Sequence, residues 1–306
     1  MKRLIINADD LGLTPGVNRA IAECHQHGIV TSTTLMAASS AFTQAAQLFT
    51  REPDPQPTTP NVLTFPTKPN QPISIGCHVM LVDGEPLSPP DQVPSLLAPG
   101  TQRFRQSITE IARAALTGKL HPVHIYDEAS AQFDKLQAAG ITISHFDTHK
   151  HTHMFPQILR PLLRAARDAG IRAVRNPFAP FKPLAYSHLL RRPKLWTRYT
   201  EVSFLRRYSA QFNQDVKDAG MVTTNGSFGV VVTGALDHQL FNAIVGCIPD
   251  GTWEFVCHPG YNDPDLDRIQ TRLRASRTRE LDVLTSPAAR DALARHNVEL
   301  ISYNDL

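Results

Sequence analysis

Cysteine is scarce in this chain: four residues in 306 (Cys24, Cys77, Cys247 and Cys257), far apart and with no Cys-x-x-Cys pair. They read as free thiols of a reducing compartment and offer neither a disulfide framework nor a thiolate zinc site. An excess of one charge is also missing. The 31 Lys and Arg nearly balance 28 Asp and Glu, leaving +3, which gives no electrostatic case for a nucleic-acid partner. No run of about 18 apolar residues is present, so no transmembrane helix is expected. The first residues, Met1-Lys2-Arg3-Leu4-Ile5-Ile6-Asn7-Ala8-Asp9-Asp10, turn acidic after a short apolar run. That pattern predicts a strand rather than a secretion signal, and a cytoplasmic location is the default. With 42% hydrophobic and 19% charged residues, the composition is that of an ordinary folded protein, large enough to bury about 75% of its unfolded surface without staples.

What is present is an alternation of short β-branched runs and longer amphipathic stretches. Strands are predicted at Arg3–Ala8, Thr31–Ala37, Ile73–His78, Ile141–Asp147, Ile171–Val174, Ser227–Val232, Trp253–Cys257 and Val298–Ser302. Helices are predicted between them, among them Pro15–Gln26, Pro156–Asp168 and Leu266–Leu284. Gly28, Gly140 and Gly170 stand where helices give way to strands, as left-handed C-terminal caps. This βαβα rhythm predicts a parallel sheet, and about seven or eight strands without a second compositional zone favour one closed α/β barrel over residues 1–306, with a doubly wound open sheet as the alternative. Two segments break the rhythm. Residues 51–72 carry seven prolines (Pro53, Pro55, Pro57, Pro60, Pro66, Pro69 and Pro72), which predicts an extended surface loop. Residues 176–207 interleave Lys182, Arg191, Arg192, Lys194, Arg198, Arg206 and Arg207 with Phe178, Phe181, Tyr186, Trp196 and Tyr199. They read as a solvated helical hairpin or as a cover over substrate.

In a parallel barrel, reactive groups collect where strands end. Asp9-Asp10, His78, Asp147-Thr-His149-Lys-His151-Thr-His153, Arg175 and His258-Pro-Gly all fall at predicted strand ends. Histidine and carboxylate together are ligands for a divalent ion with an open position for water. The His-x-His-x-His stretch presents all three rings to one side if extended, and only His149 and His153 together if helical; spacing leaves both open. In the Asp9-Asp10 pair, one carboxylate can hold the ion while its neighbour accepts a proton. Because successive strand residues face opposite ways, the pair must sit at a kink to act together. The remaining histidines, His25, His27, His121, His124, His145, His238 and His296, and the arginine run Arg272, Arg274, Arg277 and Arg279 read as ordinary surface or packing residues, the arginines on a solvated or dimer-facing helix.

The ordered motifs Asn7-Ala8-Asp9-Asp10-Leu11-Gly12, Gly28-Ile29-Val30-Thr31-Ser32-Thr33, Gly76-Cys77-His78, Asp147-Thr148-His149-Lys150-His151-Thr152-His153 and Cys257-His258-Pro259-Gly260 resemble those of the YdjC-like carbohydrate deacetylases. That group includes chito-oligosaccharide and hopanoid-biosynthesis-associated deacetylases, and the likeness runs nearly the whole chain. It implies a distorted seven-stranded (β/α) barrel that hydrolyses the N-acetyl group of an amino sugar, and it implies a homodimer. Asp10, His78 and His149 fall where the family's metal ligands fall, Asp9 at the base, Arg175 at the arginine that orients the base, and His258 at the general acid. His153 matches the second histidine of the His-x-x-x-His pair in the broader deacetylase group, as an additional ligand or a residue behind the ligands, and Asp147 is placed to hydrogen-bond a ligating imidazole or to shape the turn. Two departures stand out: Leu11 replaces a common phenylalanine, and the 51–72 segment is longer than usual. Two imidazoles and a carboxylate suit Zn²⁺ better than Mg²⁺, which remains the second choice from the family. Other readings are a phosphoesterase or another amidohydrolase on the same barrel, or a non-catalytic carbohydrate-binding protein.

Overall fold

The computed structural model describes residues 1–50, 72–184 and 192–306. All but Pro72 of the proline-rich stretch, and residues 185–191 of the basic and aromatic one, lie outside the described residues. Among the described residues, nine strands form one sheet: β1 (Lys2–Leu11), β2 (Ser32–Leu35), β3 (Ser74–Val79), β4 (His145–Thr148), β5 (Ala173–Val174), β6 (Val222–Thr223), β7 (Ser227–Phe228), β8 (Gly251–Cys257) and β9 (Val298–Ile301). The order is β6-β5-β4-β3-β2-β1-β8-β7, every pairing is parallel, and β9 also pairs with β1. Eight strands on the path, against the seven implied by the resemblance, reflect the two-residue strands β5, β6 and β7.

The two partners on one edge of β1 divide it. β9 takes Lys2–Ile5 and β2 takes Asn7–Leu11. Thr31 fills the joint: its N–H donates to Ile6 O, and its hydroxyl donates to Ile301 O at 2.6 Å. The sheet is strongly curled. Ile5 on β1 packs with Ala173 on β5, Ile301 and Tyr303, although four pairings separate β1 from β5. Leu4, Ile6 and Ala8 point the other way, into the main core under the helices. A strand covered on both faces reads as a near-continuous apolar run, which is how Leu4–Ala8 reads.

The helices follow their sequence signals. Helix Pro15–Gln26 starts with proline at its first position, and Thr14 Oγ1 accepts from Val17 N–H at 3.2 Å. It buries Val17, Ala20, Ile21 and Cys24, the spacing of one helix face. Gly140 (φ 80°) and Gly170 (φ 78°) are left-handed caps as expected. Gly28 is not among the left-handed glycines; its reason is space, because a Cβ there would lie 2.4 Å from Leu284 O. The single helix expected over Leu266–Leu284 is instead two, Pro264–Asp267 and Ala275–Thr285. Among the described residues, no helix is long and apolar enough to cross a membrane.

Candidate active site

Parallel strands deliver their C-terminal ends to one mouth of the curled sheet, and register decides which side chains meet there. Ala8 is level with Cys257, so the residues that follow, Asp9 and His258, are neighbours; His78 is level with Asp147. Along β1, Ile5, Asn7 and Asp9 share the inner face by alternation. Asp10 would then face outward. It escapes this by a left-handed backbone (φ 70°) at an irregularity in the β1–β2 register between Ala8 and Leu11. The kink that an adjacent pair of working carboxylates requires is therefore present.

Asp10 Oδ1, His78 Nε2 and His149 Nδ1 form a triangle with sides of 3.6, 3.7 and 3.3 Å. Donors about 2.1 Å from a tetrahedral zinc stand about 3.4 Å apart, so the donor set fits a divalent ion. Supporting bonds orient two of the three donors, His78 and Asp10. His78 Nδ1 is 2.6 Å from Asp147 Oδ1, which leaves Nε2 to face the triangle. Asp10 Oδ2 accepts from Arg277 Nη2 at 2.5 Å, which leaves Oδ1 to face the two histidines. A second carboxylate–histidine grouping, Asp9, His78 and Asp147, already contains a cation, because Arg175 pairs with both aspartates.

Arg175 is fully buried. Its Nη1 and Nη2 donate to the two oxygens of Asp9 at 2.8 and 2.6 Å, its Nε donates to Glu254 Oε1 at 2.8 Å, and Nη1 also meets Asp147. Asn7 Nδ2 donates to Asp9 Oδ1 at 2.9 Å, and Tyr303 OH donates to Glu254 Oε2 at 2.6 Å. Three layers thus fill the inside of the sheet. At the bottom is an apolar plug of Ile5, Ala173, Ile301 and Tyr303, then the Arg175 ion cluster, then the donor triangle.

Burial raises the Asp9 carboxyl, but the Arg175 guanidinium more than offsets this and holds it well below the usual carboxylate range. Burial likewise raises Asp10, and Arg277 leads the charges that bring it below that range. Burial lowers His78, yet Asp147, Asp9 and Asp10 carry it up to about 9. The site attracts positive charge at the place an ion would occupy. Burial, reinforced by His78, takes His149 down to about 4, keeping its ring neutral and available as a ligand.

His258 stands at the rim of this cluster, its Nε2 3.9 Å from Asp9 Oδ2 and its backbone N–H bonded to Glu280 Oε2 at 2.6 Å. His153 is brought near but turned away: its Nδ1 meets Thr148 Oγ1 at 2.6 Å and its Nε2 meets Arg175 O at 3.2 Å. With both nitrogens engaged it supports the backbone that carries Arg175 and does not join the triangle. The His-rich stretch is neither extended nor α-helical. It is a short 3-10 segment in which Lys150 and His151 are left-handed, and this aims the three rings in different directions.

One further expectation needs correction. Arg277, read as a surface residue, is 1% exposed and clamps Asp10; the break before helix Ala275–Thr285 turns it inward. Gly260 lets its stem pass, since a Cβ there would meet Arg277 Cδ at 2.9 Å. His145, inside the strand expected over Ile141–Asp147, opens β4 and has the packing role expected of it, stacking on Tyr303 with centroids 3.5 Å apart. Glu254, Glu280 and Thr34, whose hydroxyl lies 3.2 Å from both His78 Nδ1 and Asp147 Oδ2, were also missed. Glu254 had a readable signal, a lone charge inside the apolar run Trp253–Val256.

The YdjC-like protein family matches residues 3–295. A carbohydrate deacetylase of Vibrio parahaemolyticus serotype O3:K6 is 27% identical over 304 residues, 99% of this chain and 96% of that one. A carbohydrate deacetylase of Brevibacillus brevis is 28% identical over 305 residues, 99% of each. The crystal structure of a candidate cellobiose-phosphate cleavage protein from Enterococcus faecalis V583 superposes with a TM-score of 0.71 at 26% identity, covering 99% of this chain and 98% of that chain. By its sequence over nearly its whole length, this chain belongs to the YdjC-like protein family.

Proposed function

We propose that the protein is a metal-dependent hydrolase that removes the N-acetyl group from an N-acetylated amino sugar, a chito-oligosaccharide or a glycosylated lipid, and releases acetate. The observation that carries this reading is the donor triangle of Asp10, His78 and His149 beside an Arg175-bound carboxylate and a rim histidine. The relatives named carbohydrate deacetylases support the same reaction.

Asp10, His78 and His149 would hold one divalent ion, Zn²⁺ in preference to Mg²⁺ because two of the three donors are imidazoles. When bound, the ion supplies Lewis acidity, which acidifies water and polarises the acyl carbonyl. Asp9 accepts the proton of the attacking water. Arg175 keeps Asp9 ionised and aimed through two parallel hydrogen bonds. His258 delivers a proton to the departing amine, a contribution of about 10²–10⁴-fold. Asp147 holds the His78 tautomer, and His153 anchors the loop.

A phosphoesterase would need a cation free to clamp phosphate. Every nitrogen of Arg175 is committed to a carboxylate, and Lys150 pairs with Asp83 at 2.9 Å. A purely carbohydrate-binding site has no use for the Asp9–Arg175 and His258 arrangement. Our reading further includes one barrel domain over residues 1–306, a cytoplasmic location and a homodimer, the last to be checked by sedimentation velocity. The test of function is an acetate-release screen on chito-oligosaccharides and glycosylated lipids with metal-loaded protein, paired with elemental analysis. Acetate is expected; phosphate release from sugar phosphates without acetate would replace this reading with the phosphoesterase.

A further inference from the structure

His151 is the one imidazole of the His-rich loop that neither the donor triangle nor the backbone supports use. Its Nδ1 is buried and has no hydrogen-bond partner, while the residue as a whole is half-buried. No bond to its Nε2 is found among the described residues, and Nε2 is not among the buried unpartnered atoms. Nε2 is therefore the nitrogen that opens to solvent. The ring is held firmly. Lys150 and His151 are consecutive left-handed residues (φ 56° and 53°), a conformation that persists in non-glycine residues only where the surroundings impose it and that clusters at functional sites. The Lys150 ammonium ties this turn to the opposite rim, donating to Asp83 Oδ2 at 2.9 Å and Gln106 O at 3.2 Å. The ring lies two residues past His149 in the same turn, with its centroid 6.3 Å from that of His153, whose Nε2 meets Arg175 O at 3.2 Å, so it borders the Arg175 end of the site. A buried N–H without an acceptor is rarer than an under-satisfied acceptor. Of the two tautomers, the one with Nδ1 bare and the proton on Nε2 leaves no buried donor orphaned.

We infer that His151 is a substrate-contacting residue whose Nε2–H donates a hydrogen bond to an oxygen of the N-acetylated sugar in the mouth. The inference rests on the deacetylase reading and names a contact that reading does not contain.

The test compares three variants in metal-loaded protein by acetate release. Glycine accepts φ 53° without strain, so His151→Gly deletes the ring and spares the turn. It should lower kcat/KM at least tenfold, with metal content and far-UV circular dichroism unchanged. His151→Gln, whose amide nitrogen reaches the position of Nε2, should recover most of that loss. His151→Asn, whose amide reaches only the Nδ1 position, should not. Wild-type kcat/KM in His151→Gly, recovery by Asn but not Gln, or losses that track metal content would each overturn the contact while leaving deacetylation standing. A wild type that releases no acetate from any acetylated sugar would overturn both.

Discussion

Asp9 and Asp10 are adjacent in sequence and chemically opposite. Asp10 gives one oxygen to the donor triangle and the other to Arg277, whereas Asp9 gives both to Arg175. Asp9→Asn should leave metal content unchanged and lower acetate release by about 10²–10⁴-fold; full activity in that variant would overturn the base assignment. The folded-state pKa of Asp9 lies below its ordinary 3.8. Its contribution to stability is therefore complete above pH about 4 and is lost as pH falls below that. Denaturant unfolding of the metal-free protein between pH 6 and pH 3 should show a slope of up to about 1.4 kcal/mol per pH unit at the acid end. Asp9→Asn should lack this component. Arg277 touches no reacting atom in this scheme and acts through Asp10. Arg277→Leu should weaken metal binding by about 10–100-fold, measured by calorimetric titration, because the carboxylate loses the bond that orients it. The adjacent aspartates were legible as a pair with divided roles. Arg277 was not, since nothing in a run of four nearby arginines tells which one turns inward.

Glycine at the ends of elements does two different jobs, and stability measurements should separate them. At Gly170 (φ 78°) a Cβ has open space, so Gly170→Ala should cost only the backbone penalty of about 1–2 kcal/mol. At Gly28 a Cβ would lie 2.4 Å from Leu284 O and 2.5 Å from Cys24 O. Backbone atoms cannot swing away as a side chain can, so Gly28→Ala should cost about 1–3 kcal/mol or more by overpacking. Equal urea midpoints for the two variants would show the close approach at Gly28 to be relieved elsewhere. Element positions were readable wherever the amphipathic period or the apolar run was long: helix Pro156–Asp168 has the boundaries expected of it. The strand β6 at Val222–Thr223 was not expected, because two residues are too short to show a period, and its partner is supplied by β5.

The whole sheet curls around the apolar plug, the Arg175 ion cluster and the donor triangle, in that order. The plug and the surrounding core are apolar and contain no donor of the triangle, and each fully buried leucine or isoleucine contributes about 1.5–3 kcal/mol. The fold should therefore stand without its metal. Chelation should abolish acetate release while leaving far-UV circular dichroism intact. Relative to protein with free ion at 100 times its dissociation constant, it should lower unfolding stability by about 2.7 kcal/mol. Global unfolding on chelation would mean instead that the ion closes the sheet.

The sequence by itself determined the βαβα rhythm, the parallel sheet, and the placement of Asp9, Asp10, His78, His149, Arg175 and His258 at strand ends, because periodicity and strand termini are local properties of the chain. Only the tertiary structure decided which nitrogen or oxygen of each faces the others, that His153 turns away, and that Arg277, Glu254 and Glu280 belong to the cluster. Those outcomes depend on curl, register and the left-handed residues Asp10, Lys150 and His151, and they are set by contacts between segments up to 267 positions apart.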